Sequence, residues 1–278
     1  MNAVANGVAT IATILVLMAM IGLIETMVPL HARGRWHRAH LGPNLALTFL
    51  TFATNLLLNA AIVAVLVRVQ GRNVGVLQWW SPSSWTAGVL VLLGLDFAFY
   101  AAHVAMHEWP WLWRVHRVHH SDPAVDVTTT IRQHPFEGVI RYVFMAVFAL
   151  MLGATPGAFA VYRVWSAIHG LTEHANVRIP LGLDRVLRLI FTTPNMHKVH
   201  HSRFAVETNT NYGNIFSVFD RVFQTLTPSE RGLRILYGLT GFDDPTVQST
   251  LGLLAVPFRA LPSPVAPHPS AAGFGTVA

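Results

Sequence analysis

Histidines are concentrated at two places in the chain, at spacings that suit a helix. The first group lies between His103 and His120, in HVAMHEWPWLWRVHRVHH, and the second is HKVHH, from His197 to His201. Residues three and four positions apart share a face of a helix, so each group can present several imidazoles to one point. A single histidine at an apolar helix end is usually a core or interfacial residue. Two HxxHH motifs together with one HxxxH instead predict a metal site, and one that holds two metals.

The type of ligand narrows the choice of metal. Neutral imidazoles bind Zn, Fe, Cu or Ni, whereas Mg and Ca prefer oxygen. Ten histidines at suitable spacing exceed the three or four protein ligands of one zinc site, and two metals would share about five each. A nitrogen-rich site with no thiolate and few carboxylates suits a redox metal that activates oxygen. The residues alone do not choose the metal.

The composition indicates a membrane protein. The chain is 53% hydrophobic and 12% charged, and soluble domains carry about twice that charged fraction. The absence of cysteine excludes disulfides, thiolate ligands and iron–sulfur clusters. The formal charge of +6 comes from arginines at the ends of apolar runs, which is typical of membrane-flanking positive charge. We therefore expect no nucleic-acid partner.

Several apolar runs are candidates for membrane helices. Residues 8–30, 45–67 and 85–106 are each long enough to cross a hydrocarbon core of about 30 Å. Two shorter runs, 138–152 and 157–169, flank GATPG, which is a turn signal, and are predicted to form a helical hairpin in the membrane. The predicted fold is an all-α, polytopic bundle of four to five membrane-embedded helices with a histidine-rich cap.

The chain is predicted to hold one domain. We expect it to cover residues 1–260, with the metal-binding motifs within 96–220. Residues 261–278, rich in Pro, Ala, Gly and Ser, are expected to form a disordered tail. The charge bias of the short loops places residues 31–44 on the cytoplasmic side. Counting spans from there brings every histidine group to that same side, which predicts a cytoplasmic metal site.

Other polar residues are assigned simpler roles. Asn55 and Asn59 lie four apart on one face of the second span, where such pairs usually bond a neighbouring helix; contact with a substrate is the alternative. His31, His37 and His40 lie in an arginine-rich segment that is expected to be a solvated loop.

One polar stripe runs along the third span into the histidines. Asp96, Tyr100, His103 and His107 follow one another at intervals of four, three and four, so they share a helix face. An acid in an apolar membrane helix is a functional candidate. We expect Asp96 or Tyr100 to orient a ligand imidazole, with a helix–helix hydrogen bond as the alternative for Tyr100.

Three other classes of histidine protein fit less well. A zinc metalloprotease needs HExxH, whereas His107 precedes Glu108 in HVAMHE. A b-type cytochrome needs histidine pairs on facing helices and leaves the triplets unexplained. A metal transporter places its ligands near the bilayer midplane, whereas these histidines lie at helix ends.

Further motifs carry a family resemblance. HVAMH, HRVHH and HKVHH occur together with Asp96, RQHPFE at 132–137, EHANVRIPLG at 173–182, TTPNMHKVHHS at 192–202 and NYGN at 211–214. In order and spacing, over roughly residues 20–260, the chain resembles the fatty acid hydroxylase/sterol desaturase superfamily of membrane di-iron oxygenases. It is most similar to the bacterial sterol-desaturase-type members.

The resemblance implies roles for named residues. Ten histidines would bind two irons: His103, His107, His116, His119, His120, His169, His174, His197, His200 and His201. His169 and His174 are five apart, about 140° on a regular helix, so both can be ligands only if the helix breaks, at Gly170. Supporting positions would be Asp96, Tyr100, His134, Glu137, Asn176 and Asn195. Phe219 and Gln224 in FDRVFQT replace a Trp and a Gly of the family, a departure that concerns local packing.

The resemblance also implies an activity. The two irons would use O2 and outside electrons to hydroxylate or desaturate an unactivated C–H bond of a lipid. Sterol-like or polyisoprenoid substrates, fatty-acyl lipids and alkylglycerol ethers are all open. No His-Pro-Gly-Gly haem-binding segment occurs, so a separate electron donor is expected, a ferredoxin or a cytochrome b5-like protein with its reductase. The expected location is the bacterial inner membrane. The alternative from another class is a non-catalytic metal-binding or metal-transport protein.

Overall fold

The chain folds almost entirely into helices. The computed structural model describes residues 2–32 and 36–260, apart from the side chains of 2–6 and 36–37. The predicted disordered tail, 261–278, lies outside the described residues. The α-helices are α1 Asn2–Met27, α2 Trp36–Ala39, α3 Leu41–Val69, α4 Val76–Trp80, α5 Ser84–Glu108, α6 Pro110–His120, α7 Pro135–Leu152, α8 Pro156–His174, α9 Leu181–Leu187, α10 Pro194–His200, α11 Ala205–Thr208, α12 Val218–Val222 and α13 Thr250–Ala255, with 3-10 helices at Val127–Ile131, Ser229–Arg234 and Val256–Phe258.

Four helices are long and apolar enough to cross a membrane. They are α1 from Gly7 onward, α3, α5 and α7. The shortest, α7, has 18 residues and spans about 27 Å at 1.5 Å per residue, close to the thickness of a hydrocarbon core. The described residues contain isolated β-bridges but no strand. The prediction of a polytopic all-α bundle is confirmed, and the chain is an integral membrane protein.

Helix α5 occupies the centre of the bundle. It buries 56% of its apolar stretch inside the protein, whereas α1 and α3 bury 11% each. Leu95 of α5 is fully buried in one apolar core with Met145 of α7 and Phe159 of α8. The central helix therefore carries Asp96 and the HVAMH motif into the protein interior.

Local sequence signals set the turns that bring the histidine motifs together. Helix α5 ends at Glu108, and α6 begins at Pro110, because proline lacks an N–H group and suits the first turn of a helix. Gly153 ends α7 in the left-handed conformation, φ 74°, which suits glycine. Thr155 then caps α8 by accepting a hydrogen bond from the Ala158 main-chain N–H at 3.2 Å. The chain thus returns along α8 toward the histidine motifs.

A buried polar network connects the start of α3 to the segment that follows α6. His40 is 1% exposed; its Nδ1 lies 3.0 Å from Asp122 Oδ1 and its Nε2 lies 3.3 Å from Asp126 Oδ2. The prediction of a solvated loop is therefore wrong for His40, because two aspartates that follow α6 enclose its ring. His31 is half-buried, with Nε2 3.0 Å from the Gly232 carbonyl oxygen. The side chain of His37 lies outside the described residues.

Candidate metal centre

Five imidazoles from three parts of the chain converge on one point. Their ligand nitrogens all lie within 4.8 Å of one another: His103, His107, His116, His120 and His200. His116 Nε2 lies 3.1 Å from both His103 Nε2 and His120 Nε2. The turn at Pro110 makes this possible, because it folds α6 back against the end of α5. We call this set the five-histidine cluster.

A second set of four imidazoles lies beside the first. It comprises His119, His174, His197 and His201, whose ligand nitrogens also lie within 4.8 Å of one another. His174 Nε2 lies 3.0 Å from His119 Nε2 and 2.9 Å from His197 Nε2, and His201 Nε2 lies 3.1 Å from His197 Nε2. We call this set the four-histidine cluster.

Each HxxHH motif serves both clusters. His119 belongs to the four-histidine cluster and His120 to the five-histidine cluster; His201 and His200 divide in the same way. Adjacent helical residues point about 100° apart, so paired histidines aim their rings at two different points. The adjacent pairs His119–His120 and His200–His201 therefore join the two clusters into one centre.

The spacing of the nitrogens fits metal binding. Imidazole nitrogens bind such metals at about 2.0–2.1 Å, so two ligands at right angles lie about 3 Å apart. The closest pairs in both clusters are 2.9–3.1 Å apart. Within the described residues, His107 Nε2 and His200 Nε2 are buried without a hydrogen-bond partner, which is costly unless another group satisfies them. The nine residues therefore fit one metal per cluster.

Main-chain carbonyls fix the protonation of several rings. The Nδ1–H groups of His103, His174 and His200 donate to the carbonyl oxygens of Tyr212, Gly170 and Thr210, each at 2.8 Å. These bonds leave Nε2 unprotonated and aimed at the cluster.

Burial keeps the rings neutral. It lowers the pKa of His200 to about 4, and burial together with neighbouring histidines holds the pKa values of His119 and His120 well below the usual range. Because only a neutral imidazole binds a metal, these rings are ready to bind at neutral pH.

Two buried carboxylates support the clusters. Glu137 Oε1 lies 3.2 Å from His116 Nδ1 and accepts a hydrogen bond from Arg141 at 2.7 Å. Glu173 lies between two ligands of the four-histidine cluster, 3.7 Å from His174 Nδ1 and 3.8 Å from His197 Nδ1. Glu137 was among the predicted supporting positions. Glu173 was not, although it begins the EHAN motif, directly before a predicted ligand.

His169 lies apart from both clusters. Helix α8 runs through Gly170 to His174 without a break, so the two rings point in different directions. His169 Nε2 lies 2.9 Å from the Thr192 carbonyl oxygen. The structure therefore brings together nine of the ten histidines, and the helix break that His169 requires is absent from α8.

Asp96 and Tyr100 form hydrogen bonds with the segment 215–225 and not with an imidazole. The Asp96 carboxylate accepts hydrogen bonds from the main-chain N–H groups of Ile215, at 3.2 Å, and Phe216, at 3.0 Å. The Tyr100 hydroxyl lies 2.9 Å from Thr225 Oγ1. Asp96 thereby anchors the loop whose Tyr212 carbonyl orients His103. The expected direct contact with a ligand ring is wrong for both residues, because loop groups that follow them by more than a hundred positions occupy their polar atoms.

The other three predicted supporting residues have local roles. His134 caps α7, where its Nδ1 accepts a hydrogen bond from the Phe136 N–H at 3.2 Å. The Asn176 side chain binds the main chain of His31 at 2.9 and 3.0 Å. Asn195 Nδ2 donates to the Ile179 carbonyl at 3.3 Å. The hydrogen bonds of these three residues in the described part of the chain all stabilise segments around the centre.

A cavity of about 570 Å³ reaches the clusters from between the membrane helices. Residues of α1, α3, α7 and α8 form its walls, including Ile11, Phe52 and Val63. At the metal end it meets rings from both clusters: His103, His119, His174 and His197. An apolar molecule in this cavity would lie directly against the imidazoles.

The family comparison agrees with this arrangement. A model of the family described as fatty acid hydroxylase matches residues 88–225, which include all nine clustered histidines. No solved structure matches the chain.

Three similar proteins are named for monooxygenase or hydroxylase activity. An alkylglycerol monooxygenase from Caenorhabditis elegans is 30% identical over 66% of this chain and 34% of its own length. An ornithine lipid hydroxylase from Rhizobium tropici is 34% identical over 64% of this chain and 53% of its own length. A cholesterol 25-hydroxylase-like protein from Danio rerio is 28% identical over 54% of this chain and 64% of its own length. The chain thus spans about a third to a half of the first two relatives. With the histidine clusters, the match over residues 88–225 shows that the chain belongs to the fatty acid hydroxylase family.

Proposed function

We propose that this protein is a membrane lipid hydroxylase that holds two irons, one in each histidine cluster. The observation that carries the proposal is the cavity, because its apolar walls lead from the membrane helices to His103 and His174, one ring from each cluster. A metal site that serves only structure needs no such access. Relatives named for alkylglycerol, ornithine lipid and cholesterol substrates support a lipid as the molecule that enters.

The balanced reaction is the insertion of one oxygen atom into a C–H bond. The lipid, O2, two electrons and two protons give an alcohol and water; a desaturation would give a double bond and two waters. When bound, the two irons would supply O2 reduction and C–H oxidation, chemistry for which imidazole-ligated iron is suited. The protein holds the imidazoles through main-chain carbonyls, surrounds the lipid with apolar side chains, and positions one carbon against the clusters.

The two acidic side chains lie at the outer nitrogens of the ligand rings. Glu137 lies against the Nδ1 side of His116 and is itself held by Arg141 at 2.7 Å. Glu173 lines the cavity beside His174 and His197. Carboxylates at the outer nitrogen of a ligand imidazole fix its orientation and increase its basicity, so both residues are positioning residues.

The two electrons must come from another protein, and Trp113 marks a place for them to enter. Its half-buried ring is centred 5.0 Å from the His107 ring, 5.4 Å from the His120 ring and 6.2 Å from the His116 ring. The proposed donor is a ferredoxin or a cytochrome b5-like protein served by a reductase. Exposed arginines near the cap, such as Arg178 and Arg231, suit an acidic donor.

The proposed location is the bacterial inner membrane with the metal centre on the cytoplasmic side. The support is the positive charge of the segments between α1 and α3 and of the cap, which is typical of cytoplasmic loops. Labelling of a cysteine introduced at exposed Arg231, in intact and in opened cells, tests the side.

The activity is tested with purified protein, a reductant and lipid extract under O2 and under argon. Mass spectrometry should detect a product that gains one oxygen or loses two hydrogens only under O2. His119→Ala and His200→Ala each remove one clustered ligand and should abolish product while the protein still inserts into membranes. Product formed equally by these variants, with unchanged metal content, contradicts the proposal. Metal flux into vesicles without lipid oxidation would instead support transport.

A further inference from the structure

Two polar side chains line the cavity far from the metal clusters. They are Arg163 of α8 and Asn59 of α3. The proposed hydroxylation explains neither, because both lie at membrane depth among apolar residues. Charged groups at such depth are costly and usually serve a purpose.

Arg163 has no carboxylate partner among the described residues. Its guanidinium carbon lies 4.8 Å from the centre of the Tyr142 ring, and one nitrogen lies 3.7 Å from Met145 Sδ. Arg141, the other arginine of the cavity, pairs with Glu137 at 2.7 Å. A cation in a low-dielectric setting is stabilised mainly by an anion, so Arg163 is the cavity group that still offers charge to a ligand.

Helix packing places Asn59 at the level of Arg163. Helices α3 and α7 run side by side, since Thr51 donates to the Gln133 carbonyl and Asn55 lies against Gly138. One turn further along both helices, Asn59 is level with Tyr142, over whose ring the Arg163 guanidinium lies.

Among the described residues, Asn55 and Asn59 of α3 do not form the helix–helix hydrogen bond expected from the sequence. Asn55 Oδ1 is buried and has no hydrogen-bond partner among the described residues, and both Asn55 and Asn59 line the cavity. Side-chain amides can donate and accept, so they provide polar contacts to a ligand in an otherwise apolar wall. This favours the alternative, contact with a bound molecule.

We propose that Arg163 and Asn59 bind the anionic oxygen group, a carboxylate or a phosphate, of a single-chain lipid. The guanidinium is suited to two parallel hydrogen bonds with such a group. Arg163 precedes His174 by 11 positions in α8, which is about 16 Å along the helix. The alkyl chain would run from Arg163 to the clusters, and oxidation would occur far from the anionic group. This last step rests on the proposed function; the binding itself does not.

Binding to the purified metal-loaded protein in nanodiscs of neutral lipid tests the site without O2 or reductant. The probes are hexadecanoic acid, hexadecyl phosphate and hexadecanol, which differ mainly in the polar group. The wild type should bind one or both anions on the order of tenfold more tightly than the alcohol, the usual effect of a charged hydrogen bond. Preference for the acid or for the phosphate identifies the source of the anion.

Variants separate the site from general damage. Arg163→Gln should weaken anion binding about tenfold and leave hexadecanol binding unchanged, while Arg163→Lys should retain part of the preference. Asn59→Leu should weaken anion binding by a smaller factor than Arg163→Gln. Arg72→Gln removes an arginine from an exposed loop and should change nothing.

Two results overturn the proposal. One is equal binding of the acid, the phosphate and the alcohol by the wild type, which needs no variant. The other is a preference for anions that Arg163→Gln leaves intact. Lipid oxidation without anion preference would contradict this inference alone, and anion binding without oxidation would contradict only the proposed function.

Discussion

Asp96 offers a sharp test of how the fold holds the five-histidine cluster. Asp96→Ala removes the acceptor of two main-chain N–H groups, those of buried Ile215 and half-buried Phe216. Each unsatisfied group costs about 1–3 kcal/mol, so the free energy of unfolding should fall by about 2–6 kcal/mol. Because the same loop carries the Tyr212 carbonyl that orients His103, metal content should fall as well. Asp96→Asn keeps one acceptor oxygen and should lose about half as much stability.

The measurement combines chemical unfolding in detergent with metal analysis of the folded protein. The control is Asp243→Asn, which removes a half-exposed carboxylate paired with Arg203 and should cost less than about 1 kcal/mol. Equal losses in Asp96→Ala and Asp243→Asn would refute the anchoring role. So would an Asp96→Ala protein with full stability and full metal content.

Three further predictions test other parts of the structure. His40 is buried, which lowers its pKa, but Asp122 and Asp126 more than offset this and raise it to about 10. The ion pairs of His40 therefore stabilise the fold fully below about pH 6.5, and this stabilisation is lost as the pH rises through 10. The melting temperature of the wild type should fall over this pH range, whereas that of His40→Gln should change less. Trp113→Leu should slow reduction of the metal centre by a protein donor at unchanged metal content, whereas replacement of the exposed Trp111 should not, as stopped-flow spectroscopy can show. Ala167→Phe fills the cavity and should abolish lipid oxidation while metal content stays at the wild-type level.

The sequence was sufficient where the signal is local. Apolar length alone predicts the four helices that are long and apolar enough to cross a membrane, since a span must cover a fixed thickness. The run 157–169, predicted as half of a membrane hairpin, lies in α8, which is not one of these four. The spacing within HRVHH alone predicts converging imidazoles. The division into two clusters was also within reach, because His119 and His120 cannot point the same way on one helix.

Long-range contacts could not be predicted in this way. The aspartates that enclose His40 follow it by more than eighty positions, and the loop that Asp96 binds lies still further along the chain. Nothing near either residue indicates these partners. For His169 the family pattern itself was misleading. It suggested a metal ligand, whereas the unbroken helix α8 directs the His169 ring to the Thr192 carbonyl oxygen.

The most direct test of the account is the metal content of the purified protein, measured by mass spectrometry after growth with iron. The two clusters predict two iron atoms per chain, and His169→Ala, which lies outside both clusters, should retain both. A wild-type protein that binds one iron or none, or a His169→Ala variant that loses one, would contradict the assignment of nine histidines to two metals.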